Sequence, residues 1–466
     1  MDRQSSLKHN AFDDLMQKAN QLTNDQIGDE IVTSLYKNSH HICNDVITKE
    51  KTKHEVRYEK LDKIVTSPLW GFPIMFALLS MVFYITIAGA NVPSEMLATF
   101  FGNLEPSITA GFAAVNAPDW LHGVLVLGLY RGVTAVISVM LPPMAIFFPV
   151  FALLENFGYL PRVAFNMDRL FKGAGAHGKQ ALTMAMGFGC NAAAIMSTRI
   201  IESPRERMLA ILTNNFVPCN GRWPTLILLA SLFMASSFTE GAQTFVAAAV
   251  VIGMVLFGIV VTLTVSWVLS KTLLKGVPTH YTLELPPYRK PLVLDTILRA
   301  SLERTLAVLK RAVIVAAPAA LATWVLANVM VGDASVLDHI VGFLDPFAQQ
   351  LGLDGYILMA FLLGLPANEI VIPILLMGYL SSGSLTEIDD LNAIKQLFLD
   401  HGWTWLTALN MMLFSLLHYP CGTTLFNIYK ETKSPKWTFL SFLIPTAIAV
   451  GVTFTIAQVV MFFGLV

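Results

Sequence analysis

Seven runs of apolar residues, near 69–90, 121–154, 206–236, 244–274, 305–332, 403–430 and 436–464, are each long enough to cross a bilayer at about 20 residues per helix. In hydrocarbon every backbone N–H and C=O must be satisfied within the protein, so runs of this length specify helices. The expected fold class is all-α, a polytopic helical membrane protein surrounded by membrane lipids. Composition agrees: 55% of the residues are hydrophobic and 14% charged, where soluble domains carry about a quarter charged. The 31 basic residues are matched by 32 acidic ones, so no dominant phosphate-neutralising surface exists and nucleic acid is excluded as a partner.

Two further apolar stretches are interrupted. Gly187, Gly189 and Asn191 break the segment 180–198, and Gly364, Pro366, Asn368 and Glu369 break 354–381. Irregular backbone at membrane depth is tolerated where it lines a cavity or is buried in protein. Basic residues then orient the chain, because short cytoplasmic loops collect them. Residues 155–207 hold seven Lys or Arg and 271–311 hold eight, whereas 91–120 hold none and 333–402 only Lys395. The first two regions are expected in the cytoplasm and the latter two outside. That places the N-terminus inside, in the cell inner (cytoplasmic) membrane, with the broken segments entering from opposite faces. No basic stretch followed by an apolar core opens the chain, so a cleavable signal peptide is not expected. Residues 1–66 carry ten basic and eleven acidic side chains, with Leu15, Leu22, Ile27, Ile31 and Leu35 at roughly helical spacing. They read as a soluble cytoplasmic helical segment, followed by a permease domain over 67–466.

Opposed entry suggests two halves related by a pseudo-two-fold axis in the membrane plane. Residues 167–191 lie over 344–368 without a gap: Asp168 matches Asp345, Gly178 matches Gly355, Gly187 matches Gly364 and Asn191 matches Asn368. Pro218-Cys219 then corresponds to Pro420-Cys421 after an insertion of 25 residues. The expected gate repeats span about 120–275 and about 300–432, with a final span over about 436–464.

The stretch GAGAHGKQ (173–180) has Gly173, Gly178 and Lys179 at the spacing of a phosphate-binding loop, but Gln180 stands where a magnesium-binding hydroxyl belongs. Its counterpart QLGLDGYI (350–357) keeps the second glycine and loses the lysine. A hinge leading into a broken helix explains that recurrence, and a phosphate cradle does not. No catalytic spacing emerges elsewhere, so the chain reads as a transporter and not an enzyme.

The segments GFGCNAAAIMSTRIIESPRERMLAILTNNFVPCNGRWPTLI (187–227), LLGLPANEIVIPILL (362–376) and YPCGTTLFNIYKET (419–432) resemble the gate segments of the ferrous iron transporter B family. EKLDKIVTSPLWGFPIMF (59–76) and ALLENFGYLPRVAFNMDRLF (152–171) extend the resemblance from about residue 55 to the end. It implies transport of ferrous iron, with Fe²⁺ as the transported ion and no tightly bound cofactor. Members of that family usually begin with a GTP-binding domain. Here neither a strand-flanked Gly-Lys-Ser/Thr loop nor an Asn-Lys-x-Asp motif occurs, so the resemblance is to the membrane half and implies either a separate small GTPase acting in trans or a copy that works without one. A small cytoplasmic accessory protein and a homo-oligomer complete the implied partners. Ala192-Ala193 stands where Val-Pro is common in the family, and Asn368 where a Lys is common. These departures leave manganese or another divalent metal as an alternative cargo. A nucleoside-like solute remains the alternative from related gate-domain permeases.

Thiolates suit divalent transition metals, whereas all-oxygen cages suit magnesium and calcium. Cys190, Cys219 and Cys421 lie beside the helix-breaking Gly189, Pro218 and Pro420, and are expected to line a pathway that replaces part of the hydration shell of Fe²⁺. A sparse line of ligands suits permeation, since a closed cage traps its ion. His418 lies three residues before Cys421, on the same face if that segment is one helix; the competing reading is two packing residues. Asn191 and Asn368 offer amide oxygens at the breaks, as caps, ion contacts or both. Glu369 is an ionisable residue inside an apolar segment and so a functional candidate. Glu155 ends the second span, either attracting cations or sitting as a solvated helix end. Of the 20 methionines, Met184 and Met186 lie beside the gate.

Overall fold

The computed structural model describes residues 53–67, 69–176, 178–236, 240–275, 293–381, 383–384 and 390–464, with short pieces between 31 and 46. Of the apolar positions expected to mark the N-terminal helical segment, Leu15, Leu22 and Ile27 lie outside the described residues, while Ile31 and Leu35 are helical and exposed. Helix α1 (Lys53–Val65) closes that segment.

Among the described residues five helices are long and apolar enough to cross a membrane. The first, α2 (Gly71–Ala114), has 44 residues, about 66 Å at 1.5 Å per residue and twice the hydrocarbon thickness. The apolar run at 69–90 therefore continues as helix through most of 91–120, where a loop was expected. Its far half is held by α3 (Asp119–Phe157): Arg131 Nη2 pairs with Glu105 at 2.5 Å and the Tyr130 hydroxyl donates to the Phe101 carbonyl at 2.8 Å.

After α3 the chain turns at Gly158 into the short amphipathic α4 (Tyr159–Gly173) and then two interrupted helices. The first is α5 (Gln180–Gly189) plus α6 (Asn191–Ser197). The second is α7 (Pro204–Thr213) plus α8 (Trp223–Leu229). A continuous span, α9 (Glu240–Lys271), ends this half. The order then repeats: α10 (Val293–Asn328), a two-residue β-hairpin, amphipathic α11 (Val336–Gln350), and the interrupted pair α12 (Gly355–Leu363) and α13 (Val371–Leu380). The extra α14 (Leu391–Asp400) occupies the 25-residue insertion. Another interrupted pair, α15 (Trp405–Leu417) and α16 (Gly422–Thr432), precedes the final span α17 (Pro435–Phe462).

The apolar runs at 206–236 and 403–430 are thus not continuous crossings. Pro218 and Pro420 lack the N–H that a helix interior needs and push the preceding residue into extended conformation. Hydropathy registers apolarity and misses that loss.

Inversion is visible where the leading helices of the two halves meet. α3 and α10 run antiparallel: Asn156 Nδ2 donates to Thr296 Oγ1 at 2.8 Å near one end, and Gly123 lies on the Trp324 ring near the other. The repeat also recurs as chemistry. The Gly178 N–H donates to Asp168 Oδ1 at 3.1 Å, and the Gly355 N–H donates to Asp345 Oδ1 at 2.9 Å. Each bond ties an amphipathic helix to the interrupted helix that follows it.

The interrupted helices form the centre of the molecule. Leu209, Leu212, Ile357, Leu375, Met411, Met412 and Leu416 are buried, while the continuous spans leave Phe245, Ile252 and Leu256 exposed. Burial of the broken segments inside a sleeve of intact ones is what irregular backbone at membrane depth requires.

Candidate functional site

Four breaks converge at the centre. At the first, Cys190 is extended (φ −154°, ψ 117°) between the end of α5 and the start of α6. Its repeat counterpart Ala367 has nearly the same backbone (φ −153°, ψ 122°) before Asn368. The other two breaks carry the Pro-Cys pairs. Val217, before Pro218, is extended at φ −87°, ψ 125°, and Cys219 at φ −83°, ψ 171°. In the second half His418 (φ −63°, ψ 175°) and Cys421 (φ −58°, ψ 158°) bracket Tyr419-Pro420.

Hydrogen bonds close these breaks into a ring. Asn214 Nδ2 donates to Asn191 Oδ1 at 3.2 Å, joining the second break to the first. Asn368 Nδ2 approaches Cys219 Sγ at 3.9 Å, joining the third to the second. The Gly422 N–H donates to the Leu365 carbonyl at 2.7 Å, joining the fourth to the third. Asn427 Nδ2 then donates to the Ala192 carbonyl at 2.9 Å, returning from the fourth interrupted helix to the first. Breaks from both halves therefore share one polar centre inside an apolar shell.

The candidate residues distribute unevenly over it. Cys190, Cys219 and Cys421 all belong to the ring, one at each of three breaks. Among the described residues no three His, Cys, Asp or Glu side chains gather as a closed metal cluster. Asn191 and Asn368 are buried beside the thiols, and Asn368 Oδ1 has no hydrogen-bond partner among the described residues. The Glu369 carboxylate lies directly against Gly221: a Cβ there would collide with it. Cys421 Sγ is 3.2 Å from Thr424 Oγ1.

His418 does not share a helical face with Cys421, because α15 ends at Leu417 and the chain is extended across both residues. Its Nδ1 lies 2.9 Å from the Phe414 and Ser415 carbonyls, and its ring packs on Phe361, Phe414 and Tyr419. That is the packing role. Glu155 is exposed at the end of α3, two turns past the Phe147 ring that covers Gly189. Met184 is buried and Met186 partly buried. The stretch after Gly173 is a helix entry: Lys179 pairs with Glu202 at 3.3 Å and Gln180 Nε2 donates to Thr213 Oγ1 at 2.7 Å. His177 lies outside the described residues.

Sequence reasoning missed Asn214, Asn215 and Arg222. Asn214 is buried with its Oδ1 unpartnered, a free amide acceptor next to Asn191. Arg222 is fully buried. Its signal was available, since a charged residue within an apolar run is costly unless it has a function.

At the face that carries Lys172 and Lys179, the side chain of Glu431 is 5% exposed and accepts from Arg199 at 2.6 Å and Arg207 at 2.5 Å. Arg199 and Arg207 come from the first half and Glu431 from α16 of the second. Hydrogen bonding to this carboxylate, then its charge, raises the Arg199 guanidinium above its usual value.

A family model described as nucleoside recognition (Gate) matches residues 137–233 and 309–435, one copy on each half. A second, described as ferrous iron transport protein B C terminus, matches residues 251–304. The chain is 31% identical over 429 residues to a protein of Staphylococcus aureus strain MSSA476 named Fe(2+) transporter FeoB, covering 90% of this chain and 61% of that one. A protein of the same name from Methanocaldococcus jannaschii is 29% identical over 427 residues, covering 88% and 60%. A third, from Porphyromonas gingivalis strain W83, is named as a fusion of Fe(2+) transport protein A and Fe(2+) transporter FeoB and is 26% identical over 454 residues, covering 87% of this chain and 52% of that one. The chain thus spans about three fifths of the length of the first curated relatives it matches. No solved structure matches it.

Proposed function

This chain belongs to the FeoB family of Fe(2+) transporters, matching its membrane part, and on that premise we propose that it conducts ferrous iron along the ring of helix breaks. Cys190, Cys219 and Cys421 are the soft ligands of the pathway. Asn191, Asn368 and Glu369 supply oxygen, and Asn214 joins them. The observation that carries this reading is that the three cysteines in the membrane part occupy three of the four breaks. Thiols scattered at random over the spans would not coincide with the positions where backbone carbonyls are freed.

A helix that stops at a break leaves C-terminal carbonyls there, and these carry the negative end of the helix dipole. Thiol, amide and carbonyl groups strip water from a divalent ion in steps, and because no three His, Cys, Asp or Glu side chains gather among the described residues, the ion can move on. The cavity beside Cys190, lined by Thr86, Pro143, Met144, Phe147, Gly189 and Asn220, measures about 10 Å³. That is the space of a single water or bare ion. The Gate description favours a nucleoside-like solute as the second reading, and uptake of a labelled nucleoside in place of Fe²⁺ would decide for it.

We place the basic face of 155–207 and the N-terminal segment in the cytoplasm and the protein in the cytoplasmic membrane, with gate repeats over about 120–275 and 300–432. We propose that a GTPase supplied in trans regulates the gate, and a relative named as a fusion of Fe(2+) transport protein A with Fe(2+) transporter FeoB supports a small accessory partner. The test is Fe²⁺ uptake into proteoliposomes by the triple variant Cys190→Ser, Cys219→Ser, Cys421→Ser. Uptake should fall to background while the variant stays folded. Unchanged uptake sinks the proposal, and competition by Mn²⁺ in the same assay identifies the preferred ion.

A further inference from the structure

Arg222 is 0% exposed at the centre of the broken helices and comes from the Pro-Cys break of the first half. Its Nη1 donates to the Asn215 carbonyl at 2.7 Å and the Leu416 carbonyl at 2.8 Å. Its Nη2 reaches Asn215 Oδ1, the His418 carbonyl and the Tyr419 carbonyl, each at 3.2 Å. Three of those oxygens, from Leu416, His418 and Tyr419, are the carbonyls released where α15 ends before Pro420-Cys421. Asn215 Nδ2 donates to the same His418 carbonyl at 2.5 Å.

A helix that stops inside a membrane leaves carbonyls without partners, and each one costs free energy unless a donor meets it. Water or a passing cation could meet them. Here a guanidinium from the opposite half does so, with all its acceptors neutral oxygens and its Nε without a partner. The planar fork fits several carbonyls at fixed angles, which an ammonium on a flexible stem cannot do. The bonds fix the fourth break relative to the second, and therefore Cys421 relative to Cys219.

We infer that Arg222, resting on the proposal of a cysteine-lined iron pathway, is the positioning residue that registers the two Pro-Cys breaks so that Cys219 and Cys421 face one ion. It also occupies the carbonyls at the end of α15, so an ion passing the thiols is not drawn into that pocket. The inverted repeat does not supply this group twice: at the offset of 202 that relates Cys219 to Cys421, the position of Arg222 is taken by Thr424, which turns its hydroxyl to Cys421 instead. The guanidinium is therefore supplied from the first half alone.

The test uses the purified full chain in nanodiscs, with Co²⁺ as a spectroscopic probe of thiolate ligation and Fe²⁺ uptake as the functional readout. Arg222→Gln keeps an amide donor and removes the fork, and Arg222→Lys keeps the charge and removes the fork. Both should weaken the thiolate-to-cobalt absorption titration by about tenfold or more, as loss of charge-assisted hydrogen bonds predicts, with uptake falling in parallel. Wild-type titrations in either variant overturn the inference. Should Arg222→Gln fail to reach the membrane folded, Asn215→Ala removes one donor to the His418 carbonyl and one acceptor of Arg222 Nη2 and leaves the guanidinium in place. A several-fold weaker cobalt titration supports the inference, and an unchanged one overturns it. A different outcome separates the underlying reading: if Cys219→Ser, Cys421→Ser transports iron normally, the cysteine pathway fails whatever Arg222 does.

Discussion

The contact between Glu431 and the two arginines is the sharpest place to perturb the protein, because it joins the two halves at the face proposed as cytoplasmic. Glu431→Gln keeps the shape and one acceptor and removes the charge. The carboxylate is 5% exposed, but Arg199 is 70% and Arg207 31% exposed, so both guanidinium groups regain water once it is neutral. Breaking a buried ion pair costs about 3–5 kcal/mol and an exposed one at most about 1 kcal/mol; this intermediate case lies near 2 kcal/mol. Since the contact spans the halves, the cost falls on the arrangement in which that face is closed. A shift of about 2 kcal/mol changes the ratio of closed to open by roughly thirtyfold. The assay is the reaction of Cys190 with a membrane-impermeant thiol reagent in inside-out vesicles, in a background with Cys43, Cys219 and Cys421 replaced by Ser. The rate should rise at least about tenfold. An unchanged rate in a variant that melts like its parent refutes the idea that these pairs hold the face shut.

Asp168→Ala and Asp345→Ala should each lower stability by about 1–2 kcal/mol, the value of a hydrogen bond to a charged acceptor at a partly exposed site, and matched shifts in thermal melting are expected because the two bonds are equivalent. Lys179→Ala should lose the ion pair with Glu202, whose side chain is 76% exposed, and a fluorescent-nucleotide titration should be flat before and after. Gly187→Ala would place a methyl 3.1 Å from Asn214 Oδ1 and 3.3 Å from Asn191 Oδ1, prising that amide pair apart and reducing uptake. Gly173→Ala, with nothing within 4 Å of the added carbon, should transport like the parent.

The relation between the halves was legible as a constant spacing. Asp168 was matched to Asp345 and Gly178 to Gly355 on the sequence alone, and each half forms the same Asp–Gly bond because a helix entry of that geometry needs one carboxylate to accept one amide in either orientation. The break at Cys190 was legible from its glycines. The helical breaks at Pro218 and Pro420 were legible as repeated residues but hidden in the hydropathy, since Val217, Tyr419 and their neighbours are as apolar as any span. His418 shows the opposite failure: spacing put it with Cys421 only on the assumption of a continuous helix, and the proline between them removed it.

Sequence by itself determined that this chain lives in a bilayer, that its two halves oppose one another, and that cysteines stand at the interruptions. Those properties follow from local chemistry: apolarity over about 20 residues, proline's missing donor, and the asymmetry of basic residues. Which break touches which was decided only by tertiary structure. Asn214 meets Asn191, Gly221 makes room for Glu369, and Arg222 reaches three carbonyls near residue 418, because backbone groups freed in hydrocarbon must find partners wherever the fold brings them. A buried arginine needs an acceptor, and the sequence states the need without naming the partner.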